Sequence, residues 1–156
     1  MHVLFVCTGN TCRSAIAEAI ARAHVVESGT QGITFGSAGT SAWTGAPASD
    51  GAILVGVERQ LPLDHHRATA LTRDVVEAAD LVLCMGAHHM DRVHALGGDG
   101  KTHLLTDFAE RSRAGRPVED PFGGNLAQYR ETADELSGLV RALLERLREE
   151  AGGPNG

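Results

Sequence analysis

The chain has 156 residues, 42% hydrophobic and 22% charged, which is enough for one packed domain and excludes a disordered or fibrous protein. No apolar run reaches the roughly 18 residues of a membrane span, and Met1 to Val6 passes straight into polar residues, so a cytoplasmic protein without a membrane partner is expected. The net charge of -6 argues against nucleic acid as a partner, and three cysteines, an odd count too small for a disulfide scaffold, fit a reducing compartment.

Val3-Leu4-Phe5-Val6 is an unbroken apolar run with β-branched members, the pattern of a strand buried on both faces. Ile16, Ala19, Ile20 and Ala23 then recur at helical spacing, with Arg13 or Ser14 near the start and Gly29 beyond the end. Ile33 to Phe35 reads as a short second strand ending in Ser37-Ala38-Gly39. A small-residue loop with Trp43, Gly45 and Pro47 leads to a helix near Ser49 to Gly56. Thr72 is an N-cap candidate for a short helix carrying Val75, Val76 and Ala79, and Leu81-Val82-Leu83-Cys84 is another buried strand. A helix from His88 to Leu96, a strand from Thr102 to Leu105 and a loop from Glu110 to Gly124 follow. The closing helix shows one apolar face of Leu136, Leu139, Val140, Leu143, Leu144 and Leu147. Strands alternating with helices, without a hairpin signal, imply an α/β three-layer sandwich: a central four-stranded parallel sheet with helices on both faces. The domain is expected over residues 1–150, with 151–156 as a frayed tail.

In open parallel sheets ligands gather at the carboxyl ends of the strands. The segment there after the first strand is Cys7-Thr8-Gly9-Asn10-Thr11-Cys12-Arg13-Ser14. A Gly-containing turn feeding a helix start aims several backbone N–H groups inward and adds the positive end of the helix dipole, which suits inorganic phosphate or a similar oxyanion. A thiol at its base feels the same field, which favours the thiolate and makes Cys7 a nucleophile. Arg13 can fork two N–H bonds onto the same anion. Chance alone gives about 0.25 Cys-x5-Arg pairs in such a composition, so the spacing by itself is weak. Its place between a buried strand and a helix, with Gly, Asn and a following hydroxyl, supplies the specificity.

Val6-Cys7-Thr8-Gly9-Asn10-Thr11-Cys12-Arg13-Ser14 resembles the signature loop of the low-molecular-weight protein-tyrosine phosphatases. Ser37-Ala38-Gly39-Thr40, His66-Arg67-Ala68, Ala79 to Met85 and Asp120-Pro121-Phe122-Gly123-Gly124 follow that family's order and rough spacing, so the likeness covers nearly the whole chain. It implies a cysteine-dependent protein phosphatase that hydrolyses phosphorylated protein side chains through a phosphocysteine intermediate, with no cofactor and no metal.

Cleavage at phosphorus leaves a group that must be protonated, so a carboxylic acid is needed opposite the thiolate. Asp120, before Pro121 in a Gly-rich loop, is the candidate, and the family's acid matches this Asp-Pro pair; Glu119 is the adjacent rival. Thr8 to Ser14 are expected to bind phosphate. Asn10 tolerates left-handed backbone and would support the turn, paired through the resemblance with Ser37 and His66. Alone, Ser37 and His66 read as a strand-end serine and a surface histidine.

Cys12 either folds back towards Cys7 for a protective disulfide or packs at the helix start. The adjacent pairs His65-His66 and His88-His89 match no zinc-site spacing. Trp43 and Phe122 offer aromatic walls for a substrate pocket with Thr11. Thr11 resembles the phosphoarginine-directed members of the family, since tyrosine-directed ones usually carry a larger aliphatic residue there. A hydroxyl suits the N–H donors of a guanidino group; a flat wall such as Trp43 suits an aromatic ring and can also stack a guanidinium. The substrate reading therefore stays open between phosphotyrosine and phosphoarginine. The rival reaction is thiol-coupled arsenate reduction, which uses the same anion loop and needs relay thiols; beyond the loop only Cys84 remains.

Overall fold

The computed structural model describes residues 1–152. Four strands, β1 (His2–Cys7), β2 (Thr34–Gly39), β3 (Leu81–Cys84) and β4 (Thr102–Leu104), pair in parallel in the order β2-β1-β3-β4. Six helices surround them: α1 (Arg13–Ser28), α2 (Asp50–Arg59), α3 (Arg73–Ala78), α4 (Ala87–Ala95), α5 (Leu105–Glu110) and α6 (Leu126–Ala151).

β1 explains the two-sided core. Val3, Phe5 and Cys7 face one apolar cluster built with α1, α2, α5 and α6, while Leu4 and Val6 face a second built with α3 and α4. Alternate side chains of a strand point to opposite faces, so a continuous apolar run is what a strand sandwiched between two helical layers requires. α6 buries all six apolar residues of its predicted stripe, and its start is fixed by a capping box in which Asn125 and Gln128 bond each other's backbone N–H groups. Gly29 closes α1 in the left-handed conformation, with a φ of 70°.

Some boundaries differ from the sequence reading. β2 starts one residue later than expected, at Thr34, and ends as expected in Ser37-Ala38-Gly39, with Ala38 opposite Val6 and Gly39 opposite Cys7 on β1. α5 was not expected: Leu105 leaves the strand and begins a helix of 6 residues whose Leu105, Phe108 and Ala109 are buried, too short a stretch for periodicity to reveal. Ala151, placed in the expected tail, ends α6; residues 153–156 of that tail lie outside the described residues. Among the described residues no helix is long and apolar enough to cross a membrane.

The chain goes from β1 to one side for β2 and to the other for β3 and β4, so the order reverses at β1. The turn between β1 and α1 therefore opens at the crevice where ligands of doubly wound sheets bind.

Candidate functional site

That turn is built around Asn10. Its backbone is left-handed, with a φ of 57°, and its side chain is fully buried. Nδ2 donates to Oγ of Ser14 at 2.8 Å, Oδ1 accepts the backbone N–H of Thr69 at 2.9 Å, and its carbonyl oxygen lies 2.7 Å from Nε2 of His66. These contacts hold a conformation that most residues avoid. Gly39 gives the turn room from the other side: a Cβ there would stand 2.4 Å from the Thr8 carbonyl oxygen and 2.9 Å from the Asn10 nitrogen.

Cys7 ends β1 and is 3% exposed; its Sγ lies 2.8 Å from Oγ of Ser14. With Asn10 donating to that oxygen, the Ser14 hydroxyl keeps its proton available to the sulfur, and when Cys7 is a thiolate the Ser14 O–H is the donor and stabilises the charge there. Arg13, 5% exposed, donates Nη1–H to the Val118 carbonyl at 3.0 Å and brings Nη2 within 3.5 Å of Oδ2 of Asp120. Its Nε is buried with no partner among the described residues. A buried guanidinium N–H at a cavity wall is suited to an anionic acceptor.

The cavity encloses about 290 Å³ and is lined by Cys7, Thr8, Gly9, Thr11, Cys12 and Arg13, with Ser41, Trp43, Ala46, Asp120 and Phe122. The rim residues Trp43 and Phe122 are largely exposed. Asp120 is about half exposed, and its Oδ1 accepts the Phe122 backbone N–H at 3.0 Å. A larger hollow of about 480 Å³ lies beside β4 among His103, Arg111, Arg113 and Arg146, and contains no cysteine. Thus the structure brings Cys7, Arg13, Asp120, Thr11, Trp43 and Phe122 around one space, with Asn10 and His66 behind it. Ser37 is not brought to the turn: its hydroxyl donates to Glu18 at 2.5 Å, because β2 carries it against α1. Glu119 is exposed and lines none of this space.

The family model for low molecular weight phosphotyrosine protein phosphatase matches residues 2–152. The chain belongs to this family. A protein-arginine-phosphatase of Bacillus subtilis (strain 168) is 35% identical over 152 residues, covering 96% of this chain and 99% of that protein. Among solved structures, a C7S mutant of the YwlE arginine phosphatase with a phosphorylated active-site serine superposes with a TM-score of 0.89 at 34% identity, covering 96% and 97% of the two chains. A low molecular weight protein tyrosine phosphatase from T. tengcongensis superposes with a TM-score of 0.85 at 40% identity, covering 94% and 99%.

Within this member of the phosphatase family, Tyr129 and His89 take places at the site that the sequence did not assign to them. Cys12 is buried, its Sγ 3.1 Å from Oγ of Ser49 and 3.4 Å from the hydroxyl of Tyr129. Burial, and then the Cys12 contact, push the Tyr129 phenol up to about 12. Tyr129 reaches Cys12 because Gly51 yields space: a Cβ there would lie 2.4 to 2.6 Å from the ring. The clue was available, since Tyr129 lies seven residues before Leu136 on the buried stripe, where a phenol needs a polar partner. His89 contacts Thr8 through Nε2 at 2.9 Å, and its position four residues before buried Val93 marked it as inward-facing. All three cysteines are free thiols. Cys84 is 1% exposed, and burial, then the Cys7 charge, push its thiol up to about 12; both effects make it a poor relay nucleophile.

Proposed function

We propose that the protein hydrolyses phosphorylated side chains of proteins, phosphotyrosine, phosphoarginine or both, by way of a phosphocysteine. The Cys7 thiolate attacks phosphorus while the bond from phosphorus to the leaving oxygen or nitrogen breaks, and Asp120 donates a proton to the leaving group. Water then attacks the phosphocysteine and gives a proton to the Asp120 carboxylate; the sulfur–phosphorus bond breaks, and inorganic phosphate departs. Backbone N–H groups of Thr8 to Ser14 and the Arg13 guanidinium hold the equatorial oxygens. The observation that carries this reading is that the buried Cys7 and an Arg13 whose Nε has no partner among the described residues line one cavity with Asp120.

Two features bear on the leaving group. Thr11 offers a hydroxyl where a guanidino N–H would need an acceptor, and exposed Trp43 and Phe122 offer faces that take either a phenyl ring or a guanidinium. The names of the relatives divide the same way, into arginine and tyrosine phosphatases. Thiol-coupled arsenate reduction is disfavoured by the burial of Cys84. We infer a cytoplasmic location from a mechanism that depends on a reduced thiol.

The decisive measurement compares phosphate release from matched phosphotyrosine and phosphoarginine peptides by the unsubstituted protein and by Cys7→Ser. Hydrolysis of at least one peptide is expected, with loss of turnover by about 10⁴-fold or more in the variant and a gain of one phosphoryl group in its mass. Turnover retained by Cys7→Ser refutes the reading. Thr11→Ile is expected to shift the rate ratio towards phosphotyrosine; an unchanged ratio removes Thr11 as the selector.

A further inference from the structure

α4 opens with two adjacent histidines whose ring centroids lie 3.9 Å apart. His88 is exposed, whereas His89 is completely buried. Nε2 of His89 stands 2.9 Å from Oγ1 of Thr8, and its Nδ1 has no partner among the described residues. Burial, and after it the neighbouring His88 and Arg13, pull the ring down to about 4, so it is neutral near pH 7. A neutral imidazole carries a single proton. Placed on Nδ1, that proton would be a buried donor without an acceptor, a rare arrangement; placed on Nε2, it meets the Thr8 oxygen. The ring therefore donates to Thr8, and the hydroxyl proton of Thr8 is free for another acceptor. Thr8 lines the same cavity as Cys7 and Arg13.

We propose that His89 is a positioning residue that fixes the Thr8 hydroxyl so that its proton is presented to the bound phosphoryl group, adding a side-chain donor to the backbone cradle. Ser14 is arranged alike: the Asn10 amide donates to its oxygen, and its hydroxyl proton can go to a Cys7 thiolate. The inference rests on the phosphatase reading and adds a residue to it. A ring kept for packing alone gains nothing from an unpartnered nitrogen in the interior, since a phenyl of similar shape would bury the same area without it.

The test measures inorganic phosphate as a competitive inhibitor of hydrolysis of a small chromogenic phosphate ester, together with the melting temperature of each variant. Thr8→Val and His89→Phe are each expected to weaken phosphate inhibition about tenfold, as for loss of a hydrogen bond to a charged group. The double variant should be no weaker than about tenfold, because both changes remove one contact. His89→Gln, whose amide can donate across a similar reach, should recover inhibition to within about threefold. His89→Phe should melt no lower than the unsubstituted protein. The proposal is overturned by unchanged inhibition in Thr8→Val or His89→Phe, by effects that multiply in the double variant, or by weakening of phosphate in His89→Phe that accompanies a lowered melting temperature. Hydrolysis by the unsubstituted protein with unaltered variants sinks this inference alone; absence of both hydrolysis and phosphate inhibition in the unsubstituted protein sinks the phosphatase reading with it.

Discussion

The two segments that meet over the cavity are held in different ways. The turn from Thr8 to Ser14 is gripped from several directions: Asn10 and Ser14 are fully buried, and the turn is bonded to His66 and Thr69 on one stretch of chain and to His89 on another. The connection 111–125, which brings Asp120, has neither helix nor strand. It is pinned at Val118, whose N–H donates to the Met85 carbonyl at 2.9 Å and whose carbonyl accepts from Arg13, and beyond that point Glu119, Asp120, Phe122 and Gly123 are exposed. An anion-binding cradle acts by having its dipoles fixed before charge develops, so rigidity serves it. A carboxyl group that must approach the leaving group and then a water is served by a tethered segment free to adjust.

The largest effect expected from breaking this contrast is on the side of the exposed connection. Asp120→Asn should lower turnover by about 10²- to 10³-fold for a poor leaving group and much less for an activated aryl phosphate. Its melting temperature should stay within about 1 °C, because the side chain is half exposed and its ion pair with Arg13 is long. Glu119→Gln should change neither quantity. An equal loss with good and poor leaving groups would remove Asp120 from the role of acid.

The cradle should respond in the opposite manner, losing stability and function together. Asn10→Ala removes two side-chain hydrogen bonds in a buried site and leaves a non-glycine residue with positive φ unsupported. A loss of about 2–4 kcal/mol in unfolding free energy is expected from denaturant titration, with phosphate affinity and turnover both falling. Asn10→Gly relieves the backbone and should recover only part of that stability, since the bonds to Ser14 and Thr69 stay lost. Full recovery would mean that backbone strain alone governs the turn.

How much of this was legible from residues alone also follows the contrast. The sheet, the strand-to-helix turn and the stripe on α6 were readable because each is set by local periodicity or by contiguous sequence. The support of the cradle was legible only in part. His66 lies 56 positions from Asn10, and nothing in its own neighbourhood announces the contact; only the family resemblance pointed to it. The same resemblance put Ser37 beside Asn10, whereas here a glutamate on α1, Glu18, takes up the hydroxyl first. Helical spacing from Leu136 and from Val93 is the signal that could have placed Tyr129 and His89 inward, but spacing does not say which atom the polar tip meets.

His89 provides the finest test of the contrast, because it supports the cradle and feels the charge of Asp120. Its folded-state value is about 4, lowered chiefly by burial, with His88 and Arg13 lowering it further and Asp120 raising it. In the unfolded chain it titrates near 6.5. Between those values the unfolded state binds the proton and the folded state does not, so stability falls as pH drops from about 6.5 to about 4 and is unaffected by this group above that window. Every other titrating side chain is common to the two proteins. The difference in melting temperature between His89→Phe and the unsubstituted protein therefore isolates His89, and it should widen in favour of the variant as pH falls through that window. A difference independent of pH would show that the ring is not held neutral, and would also remove the premise that its one proton sits on Nε2 facing Thr8. Adding Asp120→Asn should deepen the acid sensitivity slightly, since it deletes the one nearby charge that favours the protonated ring.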